Sequence, residues 1–210
     1  MDFAEAQKEA LGCTKCGLSG SRTQVVFGEG PLNAELLIVG ESPGFNEDRE
    51  GRPFQGATGM LLDRMLGSLG MGRERVYLTT LVKCRPPGES PRPPRPAEVS
   101  SCRPYLMAQI SAIDPKVVLA TGDLASRVLT GRKEAVSRIR GRAIPLDGRY
   151  VFPTLALHRA LYTPADRALL LSDFARLPDL LAAERPTTYD TLNVPQPVEA
   201  EREPLQPGLW

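Results

Sequence analysis

The chain has 210 residues, of which 41% are hydrophobic and 24% are charged, and its formal net charge is +1. This length suits one domain with a tail, and the composition is that of an ordinary globular protein. No apolar run is long enough to span a bilayer, and the first residues lack a signal-peptide pattern, which excludes membrane and secreted classes and predicts a cytoplasmic protein.

The first half of the chain predicts a strand-helix-strand unit. A short helix over residues 2–12 comes first. The apolar run 36–39 predicts a buried strand, and the β-branched and aromatic run 76–82 predicts a second one. Apolar residues at helical spacing between 60 and 69 predict the connecting helix, so the two strands are expected to be parallel with a right-handed crossover.

The second half continues the alternation of helices and strands. Residues 97–113 predict a helix, 116–120 a third strand and 149–155 a fourth, and a last helix is expected to end or kink at Pro178. The prediction is therefore an α/β fold, a three-layer α/β/α domain over residues 1–185 with a central four-stranded parallel sheet. The Pro-rich, acidic residues 186–210 are predicted to form a disordered tail.

The loop after the first predicted strand has the composition of a ligand site. Gly40-Glu41-Ser42-Pro43-Gly44 begins where that strand ends, and ligands of open α/β sheets bind at the carboxyl ends of the strands. Phe54 follows between small residues, and its ring could stack on a flat ligand. The alternative is an ordinary surface turn with solvated carboxylates.

The four cysteines predict a metal or cluster site. Cys13 and Cys16 form a C-x2-C pair, whereas Cys84 and Cys102 are separated by seventeen residues. Four thiolates can hold either tetrahedral zinc or an iron–sulfur cluster, and this spacing does not distinguish the two. A disulfide framework is not expected in a reducing compartment. Free buried cysteines are the remaining alternative, although all four lie beside turn-forming residues or in predicted loops.

Several motifs together resemble the iron–sulfur uracil-DNA glycosylases of family 4. They are the Gly40–Gly44 loop, Glu47-Asp48, Gly51-Arg52-Pro53-Phe54, the segment 82–87 (Val-Lys-Cys-Arg-Pro-Pro) and the four cysteines. Glu41 favours this family over the related family 5. The resemblance extends from Cys13 to Leu177 and implies a [4Fe-4S] cluster held by Cys13, Cys16, Cys84 and Cys102, with zinc as the less favoured metal.

The resemblance also implies roles for individual residues. A glycosylase flips the target nucleotide out of the duplex, so a uracil pocket is expected from Gly40, Glu47, Phe54 and Thr80. The only histidine, His158, is expected to donate a hydrogen bond to uracil O2 as the base leaves, and Glu41 to position water or support the cationic sugar. The expected DNA contacts are Arg85, Arg140, Arg159, Leu161 and Tyr162. The alternative for a lone histidine is a structural side chain.

Two departures from the family pattern raise alternatives. Thr80 stands where the family usually has asparagine, and His158-Arg159-Ala160 replaces the usual His-Pro-Ser. The predicted function is a monofunctional uracil-DNA glycosylase. The alternatives are an iron–sulfur lesion sensor without efficient chemistry and a glycosylase of altered base specificity. A zinc-binding α/β domain unrelated to DNA is a third reading.

The tail suggests a further partner. Gln206, Leu209 and Trp210 resemble the short peptide by which repair proteins bind a sliding clamp. The segment 83–142 contains twelve basic residues and five acidic ones. This basic surplus is typical of a DNA-binding face and also of a solvated surface. The expected partner is therefore uracil-containing DNA at the nucleoid, and nothing in the sequence predicts an oligomer.

Overall fold

The computed structural model describes residues 1–88 and 92–187. Within those ranges, the protein is built on a five-stranded sheet. The strands are β1 (Leu36–Gly40), β2 (Val76–Thr80), β3 (Val117–Thr121), β4 (Ile144–Leu146) and β5 (Arg149–Thr154). Their order is β2-β1-β3-β5-β4, and only the pairing of β4 with β5 is antiparallel. The four predicted parallel strands are confirmed.

Helices cover both faces of the sheet. They are α1 (Phe3–Leu11), α2 (Phe45–Glu50), α3 (Gly56–Gly67), α4 (Pro96–Ile113), α5 (Asp123–Thr130), α6 (Val136–Ile139), α7 (Arg159–Tyr162), α8 (Pro164–Phe174) and α9 (Leu177–Ala182). None of these helices is both long and apolar enough to cross a membrane.

The two apolar cores follow from the alternation of side chains along the strands. Leu37 and Val39 of β1 pack with residues of α1, α4 and α5, whereas Leu36 and Ile38 pack with residues of α3 and α8 on the opposite face. All residues of β1, β2 and β3 are buried, as expected for parallel strands covered on both faces. Each fully buried aliphatic side chain contributes about 1.5–3 kcal/mol. The predicted three-layer architecture is confirmed.

Two elements differ from the sequence-based expectation. The edge strand β4 was not predicted, because it is short and carries Pro145, which an edge strand tolerates. It is joined to β5 by Asp147 and Gly148, which both have a positive φ, as a tight two-residue hairpin requires. The last predicted helix is interrupted just before Pro178: α8 ends at Phe174, and Pro178 lies in the first turn of α9, where its missing N–H costs no hydrogen bond.

The parallel strands end at one edge of the sheet. Gly40 of β1 is paired with Thr80 of β2, and Thr121 of β3 is paired with Thr154 of β5. The loops that follow these four strands therefore meet at this carboxyl edge. Most of the predicted tail, residues 188–210, lies outside the described residues, so the domain boundary at residue 185 stays a prediction.

Candidate active site at the carboxyl edge of the sheet

Glu41 is held at the carboxyl edge by the start of α5. It is half-buried, and its Oε1 accepts a hydrogen bond of 2.8 Å from the backbone N–H of Leu124. The free N–H groups of a first helical turn are ready donors to such a side chain, so this contact orients the Glu41 carboxylate. The bond uses one carboxylate oxygen and leaves Oε2 for other partners.

Gly122 makes room for the Glu41 carboxylate. Its φ is +104°, and a Cβ at this position would overlap Glu41 Oε1 and would lie 2.9 Å from Glu41 Cδ. The Gly122 N–H also donates to the Thr154 carbonyl at 2.9 Å, which ties the end of β5 to the same place. Only glycine fits beneath the carboxylate without moving it.

Phe54 packs against the end of β1 in an unusual backbone conformation. Its φ is +51°, a value rarely adopted by a bulky residue, and the residue is 7% exposed. A Cβ on Gly40 would lie 3.1 Å from Phe54 Cζ and 3.2 Å from Thr80 Cγ2. The aromatic ring and the threonine methyl group therefore converge over Gly40.

Glu47 connects the two motif loops. Its Oε2 accepts a hydrogen bond of 3.0 Å from the N–H of Gly44, and its Oε1 accepts one of 3.0 Å from the N–H of Gln55. The carboxylate thus closes the first turn of α2 and also fixes the residue that follows Phe54. Its expected place at the C5 edge of uracil stays a prediction.

His158 lies on the loop that leaves β5. Its neighbours Leu157 and Ala160 are buried in the core, whereas His158 itself is exposed at the start of α7. Three residues separate it from Thr154, whose carbonyl accepts a hydrogen bond from Gly122 beneath Glu41. The structure therefore brings the loops of Glu41, Phe54, Thr80 and His158 to one edge of the sheet.

The predicted DNA-contacting residues fall into two groups. Tyr162 is 83% exposed, and the exposed Arg159 forms an ion pair of 2.8 Å with Asp166. Leu161, which lies between these two residues in the sequence, is half-buried. The guanidinium carbon of Arg85 lies 5.4 Å from the centre of the Phe45 ring. These four residues follow the carboxyl ends of β5 and β2.

Arg140 has a different environment from the other four. Its guanidinium binds both carboxylate oxygens of Asp173, at 3.0 and 2.6 Å, and the Leu169 carbonyl at 2.6 Å. Asp173 is buried, which raises the pKa of its carboxyl group. These contacts tie the residue after α6 to α8, and the phosphate contact of Arg140 stays a prediction.

The family model described as the Uracil DNA glycosylase superfamily matches residues 27–176. This chain belongs to that superfamily. The glycosylase is 38% identical to the type-4 uracil-DNA glycosylase of Archaeoglobus fulgidus over 193 residues. This match spans 88% of this chain and 96% of the relative. It is 38% identical over 200 residues to the type-4 enzyme of Sulfurisphaera tokodaii, covering 90% of each chain. The type-4 enzyme of Thermotoga maritima is 46% identical over 144 residues, covering 68% of this chain and 74% of the relative. The predicted family is confirmed.

Thr80 of this glycosylase presents its methyl group to Gly40. Its hydroxyl donates a hydrogen bond of 2.7 Å to the Val82 carbonyl, and its Cγ2 faces Gly40. The hydroxyl therefore serves the turn after β2. An asparagine amide, by contrast, offers both a donor and an acceptor to a uracil edge.

Replacing Thr80 by asparagine is expected to raise the rate of uracil release by about fivefold to tenfold, since one added hydrogen bond contributes about 1 kcal/mol. The measurement is single-turnover release from duplexes with uracil or thymine opposite guanine, and release of uracil should increase more than that of thymine. Thr80→Val is the matched control and should keep the wild-type rate, because the hydroxyl is used by the backbone. A slower Thr80→Asn enzyme would contradict this account.

The four cysteines of the glycosylase come together from three segments. Cys13 and Cys16 follow α1 and are half-buried, Cys84 follows β2 and is buried, and Cys102 is buried in α4. All four belong to, or pack against, the same apolar cluster. Burial raises the pKa of the Cys102 thiol to about 11 and also raises that of Cys84. Within the described ranges, no three His, Cys, Asp or Glu side chains form a group that could hold a single metal ion.

Basic and polar groups surround the sulfur atoms. Arg22 donates to the Cys13 carbonyl at 2.7 Å and to Cys84 Sγ at 3.5 Å, and the Lys83 N–H donates to Cys102 Sγ at 3.5 Å. The Tyr105 hydroxyl is buried without a well-formed hydrogen bond among the described residues. Burial and, to a smaller extent, the neighbouring Cys13 sulfur raise the pKa of Tyr105.

Sequence reasoning missed several residues that shape the site. Gly122 and Arg22 act through contacts with residues far away in the chain, so no local pattern identifies their partners. For Gly122 one signal was available, because it lies only two positions after the third predicted strand. A glycine at the carboxyl end of a parallel strand often marks a close approach to a ligand or side chain.

Proposed function

We propose that this chain is a monofunctional uracil-DNA glycosylase that initiates base excision. It flips uracil out of DNA and hydrolyses the N-glycosidic bond, leaving free uracil and an abasic site. The observation that carries this proposal is the meeting of an oriented carboxylate, an aromatic ring over glycine and an exposed histidine at one edge of the sheet. A lesion sensor without chemistry is not favoured, because the similar proteins named above are all type-4 uracil-DNA glycosylases.

The three side chains divide the chemistry between them. Breaking the bond places positive charge on the sugar and negative charge on the departing base. The Phe54 ring stacks on the flipped uracil, and His158 donates a hydrogen bond to the developing charge on O2. Glu41, with one oxygen fixed by Leu124, uses the other to orient the attacking water or to stabilise the sugar cation. Glu47 borders the uracil C5 edge and so excludes the methyl group of thymine.

Residues around the pocket bind the DNA. Arg85 and Arg159 contact phosphates, a contribution that depends on salt and not on base sequence. Leu161 and Tyr162 enter the minor groove and support the base stack from which uracil has been removed. The exposure of Tyr162 and the position of α7 directly after His158 support this assignment.

We further propose that Cys13, Cys16, Cys84 and Cys102 hold a [4Fe-4S] cluster. The four thiols share one apolar cluster. The Arg22 guanidinium donates to Cys84 Sγ, and the Lys83 N–H donates to Cys102 Sγ. The buried Tyr105 hydroxyl is available as a donor to a further acceptor. A four-iron cluster is larger than one ion and therefore separates its sulfur ligands more widely. When bound, it would cross-link the segment after α1, the loop after β2 and α4, in a structural role.

Replacing Cys102 by serine is expected to abolish the brown colour and the iron content of the purified protein and to lower its melting temperature. A structural metal group contributes its binding free energy to folding, which is about 10–16 kcal/mol for zinc in zinc-finger peptides, and this contribution is lost when the group is removed. Iron and sulfide analysis with visible absorption spectra, on protein prepared without oxygen, makes the measurement. Ser101→Ala is the control and should keep the colour. Colourless wild-type protein containing zinc would overturn the cluster proposal.

Analysis of the reaction products tests the proposed reaction. A labelled oligonucleotide containing one uracil is incubated with the enzyme, single-stranded or paired with guanine or adenine. We expect free uracil in solution and a strand that stays intact until alkali cleaves the abasic site. Strand cleavage without alkali would show a bifunctional enzyme, and unchanged DNA would contradict the proposed function.

The tail provides a proposal about location. Gln206, Leu209 and Trp210 lie outside the described residues, and we propose them as a peptide that docks the enzyme on a sliding clamp at the nucleoid. Such an anchor would raise the local enzyme concentration at replicating DNA. Deleting residues 206–210 should abolish clamp binding without changing release from short duplexes, and unchanged clamp affinity would remove the idea.

A further inference from the structure

The backbone at Phe54 requires support. A positive φ at a bulky residue is strained and persists only where surrounding contacts compensate. Phe54 has φ +51°, the residue is 7% exposed, and its ring lies beside Gly40. The contacts that hold this backbone therefore also determine where the ring lies.

Arg73 binds the strained segment directly. Its Nη2 donates a hydrogen bond of 2.6 Å to the Phe54 carbonyl, and its Nη1 donates one of 3.3 Å to the Pro53 carbonyl. One guanidinium thus bridges two successive carbonyl groups. A lysine ammonium lacks this planar, forked set of donors.

The Arg73 guanidinium is itself fixed by two carboxylates. Its Nε donates to Asp63 Oδ1 of α3 at 2.6 Å, and its Nη1 donates to Glu29 Oε1 at 3.2 Å. Glu29 is anchored by its backbone, since it exchanges hydrogen bonds of 3.0 and 2.7 Å with Leu78 of β2. Glu29 also binds Arg52, at 2.7 Å. The support of Phe54 therefore extends to the central sheet and to α3.

Gly59 completes the support from the side of α3. A Cβ at Gly59 would overlap the Phe54 carbonyl oxygen and would lie 2.9 Å from Arg73 Nη2. The first turns of α3 can approach this carbonyl closely only because residue 59 has no side chain. Gly59 thus offers an independent way to displace the same carbonyl group.

We propose that Arg73 is a positioning residue that acts on uracil release through Phe54. It holds the Phe54 and Pro53 carbonyls so that the aromatic ring stays over Gly40, where it meets the flipped base. This inference rests on the proposed stacking role of Phe54. Arg73 itself contacts no part of the substrate, and its effect should vanish when the Phe54 ring is absent.

A double-mutant cycle tests this coupling. Single-turnover rates of uracil release are measured for wild type, Arg73→Lys, Phe54→Ala and the double variant. Phe54→Ala should slow release by about 10- to 100-fold, the loss expected for one stacked base. Arg73→Lys should slow it by about tenfold or more, since small misplacements at a reacting centre are costly. In the Phe54→Ala background, Arg73→Lys should change the rate by no more than about twofold.

Controls separate positioning from a general loss of stability. Arg75→Ala removes the nearby exposed arginine and should keep the wild-type rate, and thermal melting shows that each variant is folded at the assay temperature. If Arg73→Lys fails to fold, Gly59→Ala replaces it in the same cycle. A wild-type rate for Arg73→Lys, or an equal slowing in both backgrounds, would overturn the inference. A wild-type rate for Phe54→Ala would instead refute the stacking role on which it rests.

Discussion

Replacing His158 by alanine is expected to slow uracil release at saturating enzyme by about 10²- to 10³-fold, the loss typical of one hydrogen-bond donor to a developing anion. Because the imidazole is exposed, its removal leaves no core cavity, and the melting temperature should hardly change. The measurement is single-turnover release from a duplex with one uracil, together with the affinity for the same duplex.

A neighbouring variant separates catalysis from binding. Tyr162 is 83% exposed on α7 and is proposed to contact DNA without touching the reacting bond. Tyr162→Ala should therefore weaken binding more than it slows release at saturation, whereas His158→Ala should do the reverse. Release by His158→Ala at the wild-type rate would show that the histidine has no catalytic role.

Replacing Gly122 by alanine is expected to reduce uracil release by about 10- to 100-fold and also to lower the melting temperature, because φ +104° is strained for alanine. The new Cβ would overlap Glu41 Oε1, which is the mobile end of a flexible side chain, so the carboxylate would move and the fold would survive. The hydrogen bond from Leu124 to Oε1 would be lost with it. Release rates and melting temperatures of the variant are the quantities to compare.

Gly148→Ala is a matched control for this substitution. Gly148 also has a positive φ, +71°, but a Cβ there would meet nothing within 4 Å. Gly148→Ala should cost about 1–2 kcal/mol for a left-handed alanine. Gly122 has φ +104° and ψ 170°, a conformation almost restricted to glycine, so Gly122→Ala should lose more stability, and only Gly122→Ala should lose activity. Equal activity in the two variants would mean that the position of Glu41 does not govern the reaction.

Local patterns were sufficient for the central sheet. The runs 36–39 and 117–120 are buried on both faces, and continuous apolar segments of this length predict buried parallel strands. The edge strand β4 was not predicted, because three residues with a central proline carry almost no periodic hydrophobic signal. The Asp147-Gly148 pair, typical of a two-residue hairpin, was the feature that could have indicated it.

The candidate site was predictable where a motif carries its own chemistry. Glu41 and Phe54 were chosen from the loop after the first strand, and both lie at the carboxyl edge. The φ of Phe54 and the contacts of Arg73 could not be predicted, because they depend on groups 19 and 20 residues apart that meet only in the folded chain. The environment of Arg140 was hidden for the same reason, since its partner Asp173 is 33 residues away.

The central claim is most directly tested by the rate at which the wild-type enzyme releases a base from two duplexes, one with uracil opposite guanine and one with thymine opposite guanine. The account predicts rapid release of uracil, retention of thymine and an intact strand bearing an abasic site. Binding of both duplexes without release of either base would contradict it and would support a lesion sensor that has lost its chemistry.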